Sequence, residues 1–169
     1  MIRYGLNRAG LESLCTDNDL ARAGLHAGKD GLETAVYNLL RSLRLEKSET
    51  KQLSCSVSRF RFLLSPAAEI NSAFRSNGLS EFCVSSFKKA VPQDLRAALE
   101  KEYPILLRLR HDPSCGTRYV VCWGAECTTG GEAGDRWKFF ISDGKTSEIS
   151  EIVLWDLKDA QFMRISKVS

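Results

Sequence analysis

Tyr103-Pro104-Ile105-Leu106-Leu107-Arg108-Leu109, then Gly116-Thr117-Arg118-Tyr119-Val120-Val121-Cys122-Trp123-Gly124, then Phe139-Phe140-Ile141-Ser142-Asp143-Gly144 decide how the second half of this chain folds. Each is short, apolar and rich in β-branched or aromatic residues, which reads as a strand. The first, Pro104 to Arg110, ends in an alternation of apolar and basic residues. Tyr119–Trp123 and Trp137–Ile141 are the cores of the next two. Between them Thr128-Thr129-Gly130-Gly131-Glu132-Ala133-Gly134-Asp135 reads as a hairpin-type connection. No lysine or helix start follows those glycines, so they do not form a phosphate-cradling loop.

Outward from this block, Phe82–Phe87 reads as a further short strand and Phe162–Ile165 as a last one. The stretch Ile149–Trp155 fits helix or strand equally. A helix runs from about Pro92 to Glu102, with Leu95 and Leu99 four apart. Upstream the period is helical. After Asp30, the residues Leu32, Ala35/Val36, Leu39/Leu40 and Leu43 recur on one face, which predicts a helix over 31–43. Residues 46–58 are polar and read as a loop. Ser65-Pro66 opens another helix with Ile70 and Phe74 turned inward, and Asn77-Gly78 stops it. The sum is an α+β chain, helical over about 1–80 and strand-rich over about 81–169, in one domain.

Composition bounds the function. The 169 residues carry 24 basic and 21 acidic side chains, a net charge of +3, whereas nucleic-acid binders need a marked basic excess to neutralise phosphates. The run Arg41, Arg44, Lys47, Lys51, Arg59, Arg61 is interrupted by Glu46 and Glu49 and reads as a solvated face, so no nucleic-acid partner is expected. No apolar run exceeds five residues, which excludes a membrane-spanning helix and an export signal. A cytoplasmic location is expected, or injection or secretion without a cleavable signal. Cysteines stand at 15, 55, 83, 115, 122 and 127. Several lie in apolar patterns, such as Phe82-Cys83-Val84 and Val121-Cys122-Trp123, where a reduced thiol acts as a small hydrophobe. Their spacing, with no adjacent histidine pair, suits no zinc site, and no cofactor is expected.

Chemistry-bearing residues are few. His26 lies in a small-residue turn. His111 follows a buried strand and precedes Asp112-Pro113, where a general base could sit. Cys15 is the candidate exposed thiol, though its acidic neighbours would raise its pKa and oppose thiolate formation. Cys15 with His111 is therefore one reading, an active thiol hydrolase of the peptidase or deamidase type. No GxSxG elbow is present.

The order of elements in residues 90–165 resembles the papain-like fold of the bacteriocin-leader (double-glycine) cysteine peptidases. In that family a proline and an apolar strand lead into a Gly-His-Tyr-Val-Val strand carrying the base. A later strand ends in the orienting Asp, and a helix N-terminus carries the nucleophile. The resemblance implies that the helix at 31–43 is the nucleophile helix, with Asp30-Gly31-Leu32 in place of the Cys-Gly pair. Arg118 stands where the base would be, and a guanidinium accepts no proton at neutral pH. Asp143 alone matches the third member. What the resemblance implies is thus a papain-like domain without catalysis, a pseudo-peptidase that keeps the cleft to bind a protein or peptide partner; an effector or toxin role would fit this reading and the thiol-hydrolase reading alike. An extended peptide would pair with a strand edge, and Arg118 would hold an acidic or C-terminal carboxylate group in the groove.

Overall fold

A computed structural model describes residues 1–5, 31–41, 48–52, 54, 66–100, 103–112, 116–130, 134–142, 149–153 and 159–168, with the backbone alone described at 2–4, 111–112 and 149–153. The elements run β1 (Ile2–Gly5), α1 (Leu32–Arg41), α2 (Pro66–Ser76), β2 (Phe82–Val84), β3 (Lys88–Lys89), α3 (Pro92–Leu99), β4 (Ile105–Asp112), β5 (Gly116–Thr128), β6 (Arg136–Ser142), β7 (Ile149–Val153) and β8 (Gln161–Lys167). The strands form one antiparallel sheet in the order β2-β8-β4-β5-β6-β7. Of the other two, β1 pairs with β5 and β3 with β8. The last strand of the chain therefore sits inside the sheet, between β2 and β4.

The thirteen-residue β5 is the spine. Its first half pairs with β4 in a register that sets Leu107 opposite Val120 and Ile105 opposite Cys122. Its second half passes to β1, with Gly5 opposite Gly124. Gly5 has φ 66°, and a Cβ there would stand 2.5 Å from the Trp123 carbonyl oxygen. Only glycine fits so close a backbone approach.

Strand alternation sorts the core into two clusters. Tyr119, Val121 and Trp123 of β5 join Leu106, Phe140, Met163 and Ile165 under α1 and α2. Val120 and Cys122 join Ile105, Leu107, Phe139 and Phe162 under α3. The layers are two helices, a sheet, and one helix.

Local chemistry explains the helix ends. Pro92 fits the first turn of α3 after an extended Val91 (φ −113°, ψ 135°). Leu95 and Leu99 are completely buried, each worth about 1.5–3 kcal/mol of transfer free energy. Helix α2 closes through a left-handed Gly78 (φ 72°). There the Leu79 N–H donates to the Phe74 carbonyl at 2.8 Å and the Gly78 N–H to that of Arg75 at 3.4 Å. Leu79 also packs beside Phe74 against the core, which completes the glycine-type helix stop.

The α+β reading with an antiparallel sheet holds. Several finer expectations change. The N-terminal half is not purely helical, since β1 enters the sheet, while the helix expected from Pro92 is present as α3. Residues 48–52 and 54 are helical rather than loop, with Thr50 and Ser54 buried four apart on one face. The Ser54 hydroxyl donates back to the Lys51 carbonyl at 3.0 Å, so part of the polar character is satisfied locally. Of the span 82–87 only Phe82–Val84 is strand, as β2, and Lys88–Lys89 beyond it form β3; both pair with β8. The ambiguous span after 149 starts as strand β7. Among the described residues no helix is long and apolar enough to cross a membrane.

Candidate functional site

The helix that the family resemblance assigns to the nucleophile is the most enclosed of the described elements. Residues 31–40 are all buried, including Glu33, Thr34 and Asn38. Gly31 begins it with φ 73°. Its carbonyl accepts the first helical hydrogen bond, from Ala35 N–H at 2.9 Å. A left-handed backbone with no Cβ thus opens α1. The helix dipole makes such a start a natural place for negative charge.

Leu32, Ala35, Val36, Leu39 and Leu40 pack on the face of β5 that carries Tyr119, Val121 and Trp123. Trp123 Nε1 donates to Ser142 Oγ at 2.9 Å in a buried pair, locking the end of β6 to β5. Asp143 is the next residue, and it lies outside the described residues. So do Cys15 and His26. His111 belongs to β4, but its side chain lies outside the described set as well. The Cys15–His111 pair is therefore not described.

Arg118 does not fall where the resemblance puts it. It pairs with Leu109 and has the same strand parity as Val120 and Cys122, whose side chains pack with α3. A two-residue period sends it to the face opposite α1. Gly31 and Arg118 are not brought to one groove. The residue that points to the α1 side at this end of β5 is Tyr119.

The cations on that side come from a neighbouring strand. Arg108 pairs with Tyr119 on one flank and with Gln161 on the other. Lys89 stands opposite Gln161, completing a row across four strands. Arg108 Nη1 and Arg110 Nη2 both donate to Gln161 Oε1, at 3.3 and 3.4 Å. The Arg108 guanidinium lies 5.9 Å from the centroid of the Phe87 ring, which itself leans on Tyr119 at 6.1 Å. Its buried Nε has no hydrogen-bond partner. The signal was in the sequence: Leu107-Arg108-Leu109-Arg110 puts two arginines on one strand face.

The described thiols Cys83, Cys122 and Cys127 are free. Burial pushes the Cys122 thiol up to about 12, against a backbone hydrogen bond with Gly124 that lowers it. Burial, and then the Asp135 carboxylate, also raise Cys127. Both are core thiols, inert as nucleophiles. Among the described residues no group of three His, Cys, Asp or Glu side chains could hold a metal ion. No protein-family model, curated protein or solved structure matches the chain.

Proposed function

We propose that this chain is a papain-like domain without catalysis that binds a polypeptide on the α1 side of its sheet. The single observation behind the reading is the start of α1. A buried glycine with a left-handed backbone opens the helix where a cysteine peptidase needs a thiol. Glycine has no atom to attack a carbonyl, so the remnant of such a site could only bind. Arg118 has no role in this reading, because its strand parity turns it from α1. The cleft-side cations are Arg108 and Arg110.

Pairing of an extended peptide with the sheet is restricted on one edge. The Asn71 side chain donates to the Val84 carbonyl at 3.0 Å and accepts from the Val84 N–H at 2.7 Å. A side-chain amide thus occupies the hydrogen-bonding positions of β2 that an added strand would use. The exposed Lys88 and Lys89 extend the protection, since charged edge residues discourage strand addition. The reading therefore leaves the β2 edge closed to an added strand.

Two measurements test the proposal. A thiol-reactive activity probe at neutral pH is expected to label no cysteine stoichiometrically ahead of the others. One hyper-reactive cysteine, above all Cys15, would replace this reading with a thiol hydrolase using His111. An array of extended peptides is expected to contain saturable binders, and a chain that retains none is not a polypeptide-binding domain.

A further inference from the structure

We infer that Arg108 and Arg110 form a recognition site for a carboxylate on the α1 side of the sheet. The polypeptide-binding reading supplies only the source of that carboxylate, a peptide C-terminus or acidic side chain. Two residues apart on one strand, both guanidinium groups converge on a single neutral acceptor, Gln161 Oε1. An amide oxygen accepts hydrogen bonds but cancels no charge. Lys89, paired with Gln161, adds a third cation to the row. No carboxylate pairs with any of the three among the described residues. Like charges gathered round one uncharged acceptor leave the cluster short of an anion.

The geometry selects the kind of anion. The Arg108 guanidinium carbon lies over the Phe87 ring, 5.9 Å from its centroid and within cation–π range. Gln161 occupies Nη1 and Nε is enclosed, which leaves Nη2 as the open donor of Arg108. A carboxylate there would take one charge-assisted hydrogen bond from Arg108 and a second from Arg110. Arg110 is exposed and would close over the outer oxygen.

Nuclear magnetic resonance of the whole chain, read at the Arg108 and Arg110 Nε–H signals, tests this. Titration with N-acetylglycine is expected to shift both signals saturably, and N-acetylglycinamide is expected to leave them in place. Arg110→Gln should weaken N-acetylglycine about tenfold while leaving the fold intact, as expected for one charged hydrogen bond. Gln161→Glu supplies an internal carboxylate and should abolish the titration while raising thermal stability. Equal shifts from the acid and the amide would overturn the site, as would the absence of any saturable shift. Tighter binding of inorganic phosphate than of N-acetylglycine would overturn the carboxylate assignment. Peptides that bind equally well when C-terminally amidated and stripped of acidic residues sink the inference but spare the binding domain. N-acetylglycine binding in a chain that retains no peptide does the reverse.

Discussion

Helices α1 and α3 lie on opposite faces of one sheet and are recognised by the same rule, an apolar stripe at helical spacing. In the fold they are different objects. Helix α3 buries Leu95, Ala98 and Leu99 and leaves Gln93, Asp94, Arg96 and Ala97 in solvent. Its exposed Arg96–Glu100 pair at 2.8 Å is a surface ornament worth a few tenths of a kcal/mol at most. Helix α1 hides its polar flank as thoroughly as its apolar one. An amphipathic pattern shows which face a helix turns to the sheet. It does not reveal whether something else covers the other side.

The sharpest way to break this comparison is to put a charge on each outer flank. Asn38→Lys in α1 should destabilise the chain by about 3 kcal/mol or more, because the ammonium would be buried without a partner. Ala97→Lys in α3 should stay within about 0.5 kcal/mol, as exposed substitutions do. Urea denaturation of both variants decides the matter, and equal losses would mean that α1 is no more enclosed than α3.

A smaller effect is expected beside α2. Asn71→Leu removes both side-chain hydrogen bonds to Val84 and leaves its half-buried backbone groups unmatched, for a loss of about 1–3 kcal/mol. The same change frees the β2 edge, so sedimentation should detect self-association that the unaltered chain lacks. A fully monomeric variant would show that Lys88 and Lys89 protect that edge without Asn71.

The α3 face offers the gentlest test of dryness. The Cys122 thiol, with an ordinary pKa of 9.0, is pushed up to about 12 in the fold. Below pH 9 the thiol is protonated in folded and unfolded chains alike, and its contribution is intact. Above pH 9 only the unfolded chain ionises, so stability falls by about 1.4 kcal/mol per pH unit towards pH 12. Measured as the difference from Cys122→Ala, this slope separates from the titration of lysines and tyrosines. A difference that stays flat from pH 9 to 11 would mean that water reaches β5 from the α3 side.

Legibility followed locality. Ser65-Pro66, Asn77-Gly78, Pro92 and the Leu95/Leu99 pair spelled out α2 and α3, because caps, ring geometry and a four-residue repeat act within one turn. The apolar cores of β4, β5, β6 and β8 stood out for the same reason. Strand β1 did not, since Ile2–Gly5 is only four residues long and acquires its meaning from Gly124, more than a hundred positions away. The helical turn at 48–52 was hidden by polar residues, because Thr50 and Ser54 are buried without being apolar. At the candidate site, the glycine opening α1 was visible. The identity of the cations on the α1 side was not, because Arg118 fits the motif position yet shares the strand parity of Val120 and Cys122.

The sequence by itself determined most of the helices and strands, the α+β class, the free thiols of the core and the glycine at the head of α1, all set by side-chain shape and hydrophobic period over a few residues. Only the tertiary structure decided that β8 would insert between β2 and β4, that α1 would be covered all round, and that Arg108, Arg110, Lys89 and Gln161 would meet in one row. Those outcomes depend on pairing between distant strands, where a register shift of one residue exchanges every side chain between the faces. No local pattern carries that information.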